Sequence, residues 1–258
     1  MNGTLHIYPD AQPLTEALAE TWARMAVAAI ARQGAFYVAL AGGSTPRQLY
    51  ARLAQEPYRS SVDWSAVHIF FGDERCVPRD HADSNYRMAH EALLAHVPIP
   101  AAQIHPMFDP AMSPGRNADA YTAQLLAALP LDENGLPVFD LVLLGMGEDG
   151  HTASLFPGTS LLQENERIVA AAYVEKLQAW RVSLTFPAIN CARAVTVTVT
   201  GEAKAAVLES VLTASALTGS ALTKSSSAYP IQRVAPRGEL HWFLDQAAAQ
   251  RLPENLRR

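Results

Sequence analysis

The sequence predicts an α/β protein in which a mostly parallel sheet is covered by helices on both faces. Short apolar segments alternate with longer segments of helical periodicity along the whole chain, a pattern typical of parallel strands joined by crossover helices. The segment FDLVLL at residues 139–144 lacks polar alternation, as expected of a strand buried on both faces. Because no long linker divides the chain, we expect a single domain over residues 1–258.

Local patterns predict each element in the first half of the chain. Residues 14–32 repeat apolar side chains at helical spacing, which indicates an amphipathic helix. Pro46 suits the first position of the next helix, with Ser44 or Thr45 as its cap. The elements expected here are helices at 14–32, 46–54 and 117–129, a helix capped by Asp83 or Ser84 that ends near residue 96, and strands at 35–40, 67–71 and 139–144.

The second half repeats the alternation of strands and helices. Residues 194–200 are rich in β-branched side chains, which favour a strand, and Gly201 leads into a helix. Asp245 is placed to cap a final helix. The elements expected here are strands at 168–173, 181–185, 194–200 and 240–244, a helical turn from Pro187, a helix at 202–212, and surface loops at 163–167 and 219–228.

Composition argues against several classes of function. A net charge of −5 and a pI of about 5.9 disfavour general affinity for nucleic acid or for an anionic membrane. The distant cysteines Cys76 and Cys191 form neither a disulfide framework nor a CxxC motif, so we expect no metal site. The chain shows no signal-peptide pattern and no apolar run of membrane-spanning length, so we expect a cytoplasmic protein. A monomer is the simplest expectation.

Glycine-rich segments follow two of the predicted strands, at the edge where ligands of parallel sheets bind. Gly43-Ser44-Thr45 precedes a helix, so its backbone N–H groups and hydroxyls could hold an anion, or simply form a capped turn. Gly145-x-Gly147-x-x-Gly150 has the spacing of a dinucleotide-binding turn. Glu148 and Asp149 would place negative charge where a pyrophosphate must lie, so we expect no nucleotide cofactor, with NAD binding as the alternative.

His151 follows this acidic pair and is the candidate base. At the start of a short helix, expected over residues 152–156, the helix dipole would disfavour an imidazolium and leave the ring able to accept a proton. Asp149 is close enough in sequence to orient the ring. Asp73 and Glu74, which follow another strand, are the alternative acidic partners. An ordinary loop or capping histidine is the competing interpretation.

Three basic residues could act on an anionic substrate. Arg75, flanked by carboxylates after a strand, could stabilise a developing oxyanion, with backbone N–H groups of the glycine loops as rival donors. Arg181 opens a strand. Lys204 lies in the first turn of a helix, where a cation opposes the helix dipole unless an anion binds there. Solvated loops and an exposed lysine are the ordinary alternatives. We count Asp73 among the substrate-binding candidates.

Segments spread over almost the whole chain resemble the 6-phosphogluconolactonase family, within a wider group that includes glucosamine-6-phosphate deaminases. They are AGGSTPRQLY from Ala41, GDERCVP from Gly72, SNYRM from Ser84, GMGEDGHTASLFPG from Gly145, RVSLTFPAIN from Arg181, GEAKAAVL from Gly201 and HWFLDQAAA from His241. The resemblance implies a Rossmann-like fold of the kind shared with ribose-5-phosphate isomerases and coenzyme A transferases, without a cofactor. It also implies hydrolysis of a small molecule, 6-phospho-D-glucono-1,5-lactone, to 6-phosphogluconate in the pentose phosphate pathway.

The resemblance further implies site residues. It gives His151 as the base and places the substrate phosphate at Gly43-Ser44-Thr45, Arg181 and Lys204. In the deaminases that the chain resembles, the loop that carries the histidine has a glutamate directly before its proline. This chain has Phe156 at that position. The phenylalanine favours a lactonase, which needs only one base and an oxyanion donor. A glucosamine-6-phosphate deaminase and a non-catalytic sugar-phosphate-binding module are the alternatives.

Overall fold

The computed structural model describes residues 3–217 and 229–257, so the predicted loop at 219–228 lies outside the described residues. The strands are β1 (Thr4–Tyr8), β2 (Phe36–Leu40), β3 (Val67–Phe71), β4 (Asp73–Arg75), β5 (Leu141–Gly145), β6 (Val169–Val174), β7 (Ala179–Leu184), β8 (Ala194–Val199) and β9 (Glu239–Asp245). A six-stranded sheet has the order β1-β9-β8-β5-β2-β3, and all its neighbouring strands are parallel. A three-stranded antiparallel sheet has the order β4-β7-β6.

Helices connect these strands. The α-helices are α1 (Ala11–Gln33), α2 (Ser44–Leu53), α3 (Tyr58–Ser61), α4 (Asn85–Ala89), α5 (Pro114–Ala128), α6 (Phe186–Asn190), α7 (Ala205–Leu217), α8 (Gln246–Ala249) and α9 (Glu254–Arg257). A π-helical turn at His90–Leu94 extends α4, and short 3-10 turns occur at Trp64–Ala66, Ala101–Gln103, Ser160–Gln163, Glu175–Leu177, Glu202–Lys204 and Pro230–Arg233. None of the helices in the described part of the chain has the length and apolar character needed to cross a membrane.

The parallel sheet confirms the predicted fold class. Every strand predicted from the sequence is present, with its ends shifted by two residues at most. The first four residues of β5 are buried, as its unbroken apolar run predicted, and all of β8 is buried. These two strands are neighbours at the centre of the sheet, where both faces are covered.

Helix α1 shows why local sequence and packing agree in this fold. Asp10 caps its first turn, accepting a hydrogen bond from the N–H of Gln12 at 2.9 Å. On its buried face, Trp22 stacks on Trp64 with ring centroids 5.4 Å apart and meets Phe36 edge-on at 5.1 Å. The buried hydrophobic side chains of the described residues form one contiguous core, which supports our proposal of a single domain.

The structure corrects several local predictions. β1 and β4 were not predicted, and β6 and β7 form an antiparallel hairpin instead of joining the parallel sheet. Helix α2 begins at Ser44 with Gly43 as its N-cap, so Ser44 and Thr45 lie in its first turn and are not caps. The helix predicted at 152–156 is absent: Thr152 and Leu155 form an isolated bridge, and Ala153 has φ 45°, outside the right-handed helical region.

A buried tyrosine ties the end of β3 to α5. The N–H of Phe71 donates to the Tyr121 hydroxyl at 2.8 Å, and this hydroxyl lies 3.3 Å from the carbonyl oxygen of Phe71, to which it donates. Phe71 is the last residue of β3, and only Gly72 separates it from β4, which carries Asp73 and Arg75. The hydroxyl therefore holds the strand end from which these two charged residues emerge.

We expect Tyr121→Phe to lower the free energy of unfolding by about 1–3 kcal/mol, because it removes the hydrogen-bond partner of a buried N–H group. Urea unfolding of the variant and the wild type measures the difference. Tyr37→Phe is the matched control, since no hydrogen bond of its hydroxyl is present in the described residues, and its loss should stay within about 0.5 kcal/mol. Equal losses in the two variants would contradict this role of Tyr121.

Candidate active site

A cavity of about 450 Å³ opens at the carboxyl ends of four neighbouring strands, β8, β5, β2 and β3. The loop after each of these strands contributes to its wall, as expected of an open parallel sheet. The antiparallel sheet adds a second wall through β4 and β7. The residues predicted from the sequence that line this cavity are Gly43, Ser44, Thr45, Asp73, Arg75, His151, Arg181 and Lys204.

Asp149 stands beside His151 and completes the predicted set. His151 Nδ1 lies 2.5 Å from Asp149 Oδ1, and the backbone N–H of His151 donates to the same oxygen at 3.3 Å. Burial acts to raise the pKa of Asp149, but hydrogen bonds from His151 and Lys176 outweigh it and lower the pKa to about 2. Asp149 is therefore a carboxylate at neutral pH. It fixes the Nδ1–H tautomer of the ring and leaves Nε2 free to accept a proton.

Close packing around the ring fixes the position of His151. A Cβ atom on Gly147 would lie 2.1 Å from both Nδ1 and Cε1 of His151, so only glycine leaves room for the ring. On another side Phe156 stacks on the imidazole, with ring centroids 4.0 Å apart and planes inclined by 24°. The N–H of Gly147 donates to the carbonyl oxygen of His151 at 2.9 Å and closes the loop.

The other acidic candidates have different partners. Asp73 Oδ2 accepts a hydrogen bond from the Ser154 hydroxyl at 2.7 Å. Glu74 is buried and accepts backbone N–H groups of Arg75, Asn85 and Tyr86 at 2.7–2.8 Å, which caps the start of α4. Burial raises the pKa of Glu74, and these three hydrogen bonds oppose that rise. Of the three acids considered from the sequence, Asp149 is the one that contacts His151.

Arg75 lies on the side of the cavity formed by the glycine turn after β2. Its guanidinium donates to Asn85 Oδ1 and to the carbonyl oxygen of Asp83, both at 2.7 Å. The Asn85 amide packs against Gly42, where a Cβ atom would lie 2.0 Å from Asn85 Oδ1. Arg75 is also directly opposite Arg181 in the β4–β7 pairing. These contacts place Arg75 beside the predicted phosphate turn.

Arg181 and Lys204 are half-buried cations without a carboxylate partner. Within the described residues, no carboxylate oxygen lies within 4.0 Å of the charged nitrogens of either side chain. Burial, followed by the neighbouring Arg75, lowers the pKa of Arg181. Burial also lowers the pKa of Lys204, while the more distant Glu148 and Asp245 oppose this. Desolvated cations that lack a counter-ion create a site that favours an anion.

The start of α2 supplies neutral donors to the same region. Gly43 adopts φ 111°, a conformation that favours glycine, and turns the chain into the helix. The first-turn N–H groups of Ser44 and Thr45 have no partner within an α-helix, and they lie at its positive end. The Thr45 hydroxyl lies 2.9 Å from that of Thr200, which joins the turn to the loop that carries Lys204.

Some residues of the site were missed by sequence reasoning. The sequence places Asn85 only at the start of a helix, yet its side-chain oxygen accepts a hydrogen bond from Arg75. Ser154 is fully buried and donates to Asp73, and the hydroxyl of Ser183 receives the N–H of Ser154 at 3.2 Å. Lys176 lines the cavity from the tip of the β6–β7 hairpin. The strands expected at 168–173 and 181–185 are the two members of this second sheet that the sequence indicated, whereas β4 gave no strand signal.

The remaining candidates carry little chemistry. Burial raises the pKa of the Cys76 thiol to about 11, so at neutral pH it is a protonated thiol and a poor nucleophile. In residues 3–217 and 229–257, no cluster of three or more His, Cys, Asp or Glu side chains is arranged to hold a metal ion. The chemistry available in the cavity is that of one histidine–aspartate pair, several cations and backbone donors.

Comparison with known proteins agrees with the geometry. Residues 9–242 match the family described as glucosamine-6-phosphate isomerases/6-phosphogluconolactonase. A 6-phosphogluconolactonase of Synechocystis is 41% identical over 224 residues, which cover 87% of this chain and 88% of the relative. The solved structure of 6-phosphogluconolactonase from Trypanosoma brucei is 34% identical, has a TM-score of 0.83, and covers 98% of this chain and 99% of its own.

A further relative bears on the cellular compartment. The probable 6-phosphogluconolactonase 3, chloroplastic, of Oryza sativa subsp. indica is 40% identical over 258 residues, 96% of this chain and 76% of the relative. Because a chloroplastic protein is this similar, the cytoplasmic location stays a prediction from the sequence.

We expect Gly147→Ala to displace the His151 ring by about 1 Å, because real Cβ atoms essentially never approach other atoms closer than 3.0 Å and this one would start at 2.1 Å. Gly145→Ala is the matched control, since its Cβ would meet nothing nearer than the Thr198 carbonyl oxygen at 3.9 Å. Crystal structures of the two variants measure the displacement. An unmoved ring in Gly147→Ala, with the His151–Asp149 hydrogen bond intact, would show that the loop does not depend on this glycine.

Proposed function

We propose a mechanism from the premise that the chain belongs to the family of glucosamine-6-phosphate isomerases and 6-phosphogluconolactonases and is a 6-phosphogluconolactonase, an enzyme of the pentose phosphate pathway. The reaction is hydrolysis of 6-phospho-D-glucono-1,5-lactone to 6-phospho-D-gluconate. One observation supports the mechanism most strongly. The His151–Asp149 pair stands at a cavity that is also lined by Arg181 and Lys204, two cations without carboxylate partners.

His151 acts as the general base. Its Nε2 takes a proton from a water molecule as the water oxygen attacks the lactone carbonyl carbon. The resulting imidazolium is stabilised by Asp149, and it returns the proton to the ring oxygen as the tetrahedral intermediate opens and the C1–O bond breaks. The products are a carboxylic acid, which ionises, and a hydroxyl group, so one water is consumed and the base is regenerated.

The phosphate anchors the other end of the substrate. Arg181, Lys204 and the first turn of α2, at Ser44 and Thr45, form the anion site. Asp73 lines the cavity. Its carboxylate oxygens accept hydrogen bonds from Ser154 and Asn85, and their remaining lone pairs accept hydrogen bonds from substrate hydroxyls. Binding energy from the remote phosphate thus positions the carbonyl carbon at the base.

The oxyanion of the tetrahedral intermediate needs a hydrogen-bond donor. The candidates from the sequence are Arg75 and a backbone N–H group of the glycine loops. The contacts of Arg75 with Asn85, next to Gly42, support a role at the phosphate. Ala153 lines the cavity two residues after His151, and its N–H forms no hydrogen bond within the described residues. Its left-handed backbone, φ 45°, is unusual for alanine. We therefore assign the oxyanion to the Ala153 N–H and Arg75 to the phosphate.

Phe156 supports hydrolysis over deamination. The aromatic ring covers one face of His151 where a carboxylate would give the base a second acidic partner. Lactone opening needs a single proton shuttle, which the His151–Asp149 pair supplies alone. We also propose that the active form is a monomer.

We expect His151→Gln to lower kcat by about 10²–10⁴-fold with little change in KM, because it removes the general base but not the phosphate site. The assay uses freshly generated 6-phosphogluconolactone with the spontaneous hydrolysis rate subtracted. His96→Gln, an exposed histidine outside the cavity, is the control and should keep full activity. An unaltered kcat in His151→Gln would remove this residue from the mechanism.

We expect Arg75→Ala and Arg181→Ala each to raise KM by about tenfold or more while kcat falls far less, because each loses a charge-assisted hydrogen bond to the phosphate. Steady-state kinetics of both variants separate the two parameters. The opposite result for Arg75, a large fall in kcat at unchanged KM, would return the oxyanion role to Arg75.

A further inference from the structure

A lysine outside the predicted site contacts the acidic partner of the base. Lys176 Nζ lies 3.0 Å from Asp149 Oδ2, while Asp149 Oδ1 takes the hydrogen bond from His151. The lysine comes from the tip of the β6–β7 hairpin, 27 residues along the chain from Asp149. His151, Asp149 and Lys176 therefore form one continuous chain of hydrogen bonds at the cavity wall.

We infer that Lys176 is a positioning residue that holds Asp149 and keeps His151 in its neutral, proton-accepting form. The inference rests on the proposed role of His151 as the base. A carboxylate next to an imidazole stabilises the imidazolium, so at a given pH a larger fraction of the histidine is protonated and unable to accept a proton. A cation on the far oxygen of the carboxylate opposes that stabilisation.

The hairpin tip is braced, so it presents the ammonium group at a defined place. Gln178 adopts a left-handed conformation, with φ 49°, and its side chain donates to the carbonyl oxygen of Glu175 at 2.9 Å. The Tyr173 hydroxyl donates to Gln178 Oε1 at 3.3 Å, and the Tyr173 ring packs edge-on against Trp180. These contacts within the hairpin do not involve Lys176, so its side chain can be changed without removing them.

The other charged groups around the cavity do not contact the pair. Asp73 is bound by Ser154, and Arg75 by Asn85. Arg181 faces Arg75 across β4 and β7, and Lys204 has Glu148 as its first acidic neighbour. In the described part of the chain, Lys176 is the cation that forms an ion pair with Asp149, apart from His151 itself.

The size of the effect follows from exposure. The Lys176 side chain is 70% exposed, so water and salt weaken its field. The ammonium group also acts on the imidazolium only from beyond the Asp149 carboxylate, so we expect a shift of about half a pH unit at most in the titration of His151. The sign is fixed. Removing the cation stabilises the imidazolium, so the titration of His151 moves to higher pH.

The test is the titration of the His151 imidazole by NMR in the substrate-free protein, with its signals assigned by comparison with His151→Gln. Lys176→Met removes the charge and keeps much of the chain length, whereas Lys176→Arg keeps the charge. Glu175→Gln is the control on the same hairpin, because its side chain makes no contact with Asp149. We expect an upward shift of about half a pH unit at most in Lys176→Met and none in the other two, and the shift should shrink at about 1 M salt.

Kinetics give a second readout. In Lys176→Met the acidic limb of kcat/KM should move up by the same amount as the titration, with KM unchanged above neutral pH. An unmoved or lowered titration in Lys176→Met, or an equal shift in Lys176→Arg, would overturn the inference. A raised KM with an unmoved titration would instead make Lys176 a substrate ligand. Because the titration needs no turnover, it separates a failure of this inference from a failure of the base role, which His151→Gln tests alone.

Discussion

The parallel alignment of β8, β5, β2 and β3 is the constraint on which the site depends. Neighbouring parallel strands end at the same edge of a sheet, so the loops after these four strands meet although they lie far apart in the sequence. One loop brings a helix start, another the base, a third the charged strand β4 and a fourth Lys204. A change of strand order would separate the start of α2 from His151 while leaving every loop intact.

Charged side chains line the cavity, and in the proposed mechanism they give the substrate one orientation. Arg75, Arg181 and Lys204 line the cavity and supply positive charge, while the carboxylate of Asp149 contacts His151. The cations lose hydration without gaining a carboxylate partner, a cost that a bound phosphate offsets. The base is held by packing as well as by hydrogen bonds, since Gly147 and Phe156 contact the ring from different sides.

Much of the fold could be predicted because its signals are local. Apolar runs and the residues that end them mark five of the six parallel strands, and Asp245 does cap the helix after the last strand, α8, accepting the N–H of Ala248. β4 was missed because its three residues are all charged and its strand character comes from pairing with β7, where Arg75 lies opposite Arg181, 106 residues further along the chain. The helix expected at 152–156 does not form because residues distant in the sequence bind this segment. Ser154 donates hydrogen bonds to Asp73 and Ser183.

The same distinction applies to the site. His151 and its partner Asp149 are two residues apart, so a local pattern suggests the pair, but the sequence alone leaves Asp73 and Glu74 as alternative partners from another loop, and only the contact with Asp149 decides between them. No pattern in the sequence points to Lys176, whose partner lies in a different loop. The most direct single test is a crystal structure with bound 6-phosphogluconate. If the base and phosphate sites are assigned correctly, the phosphate contacts Arg181, Lys204 and the start of α2, and the carboxylate lies within about 3.2 Å of His151 Nε2, directly or through one water. A phosphate beside His151, or a carboxylate out of its reach, would contradict the assignment.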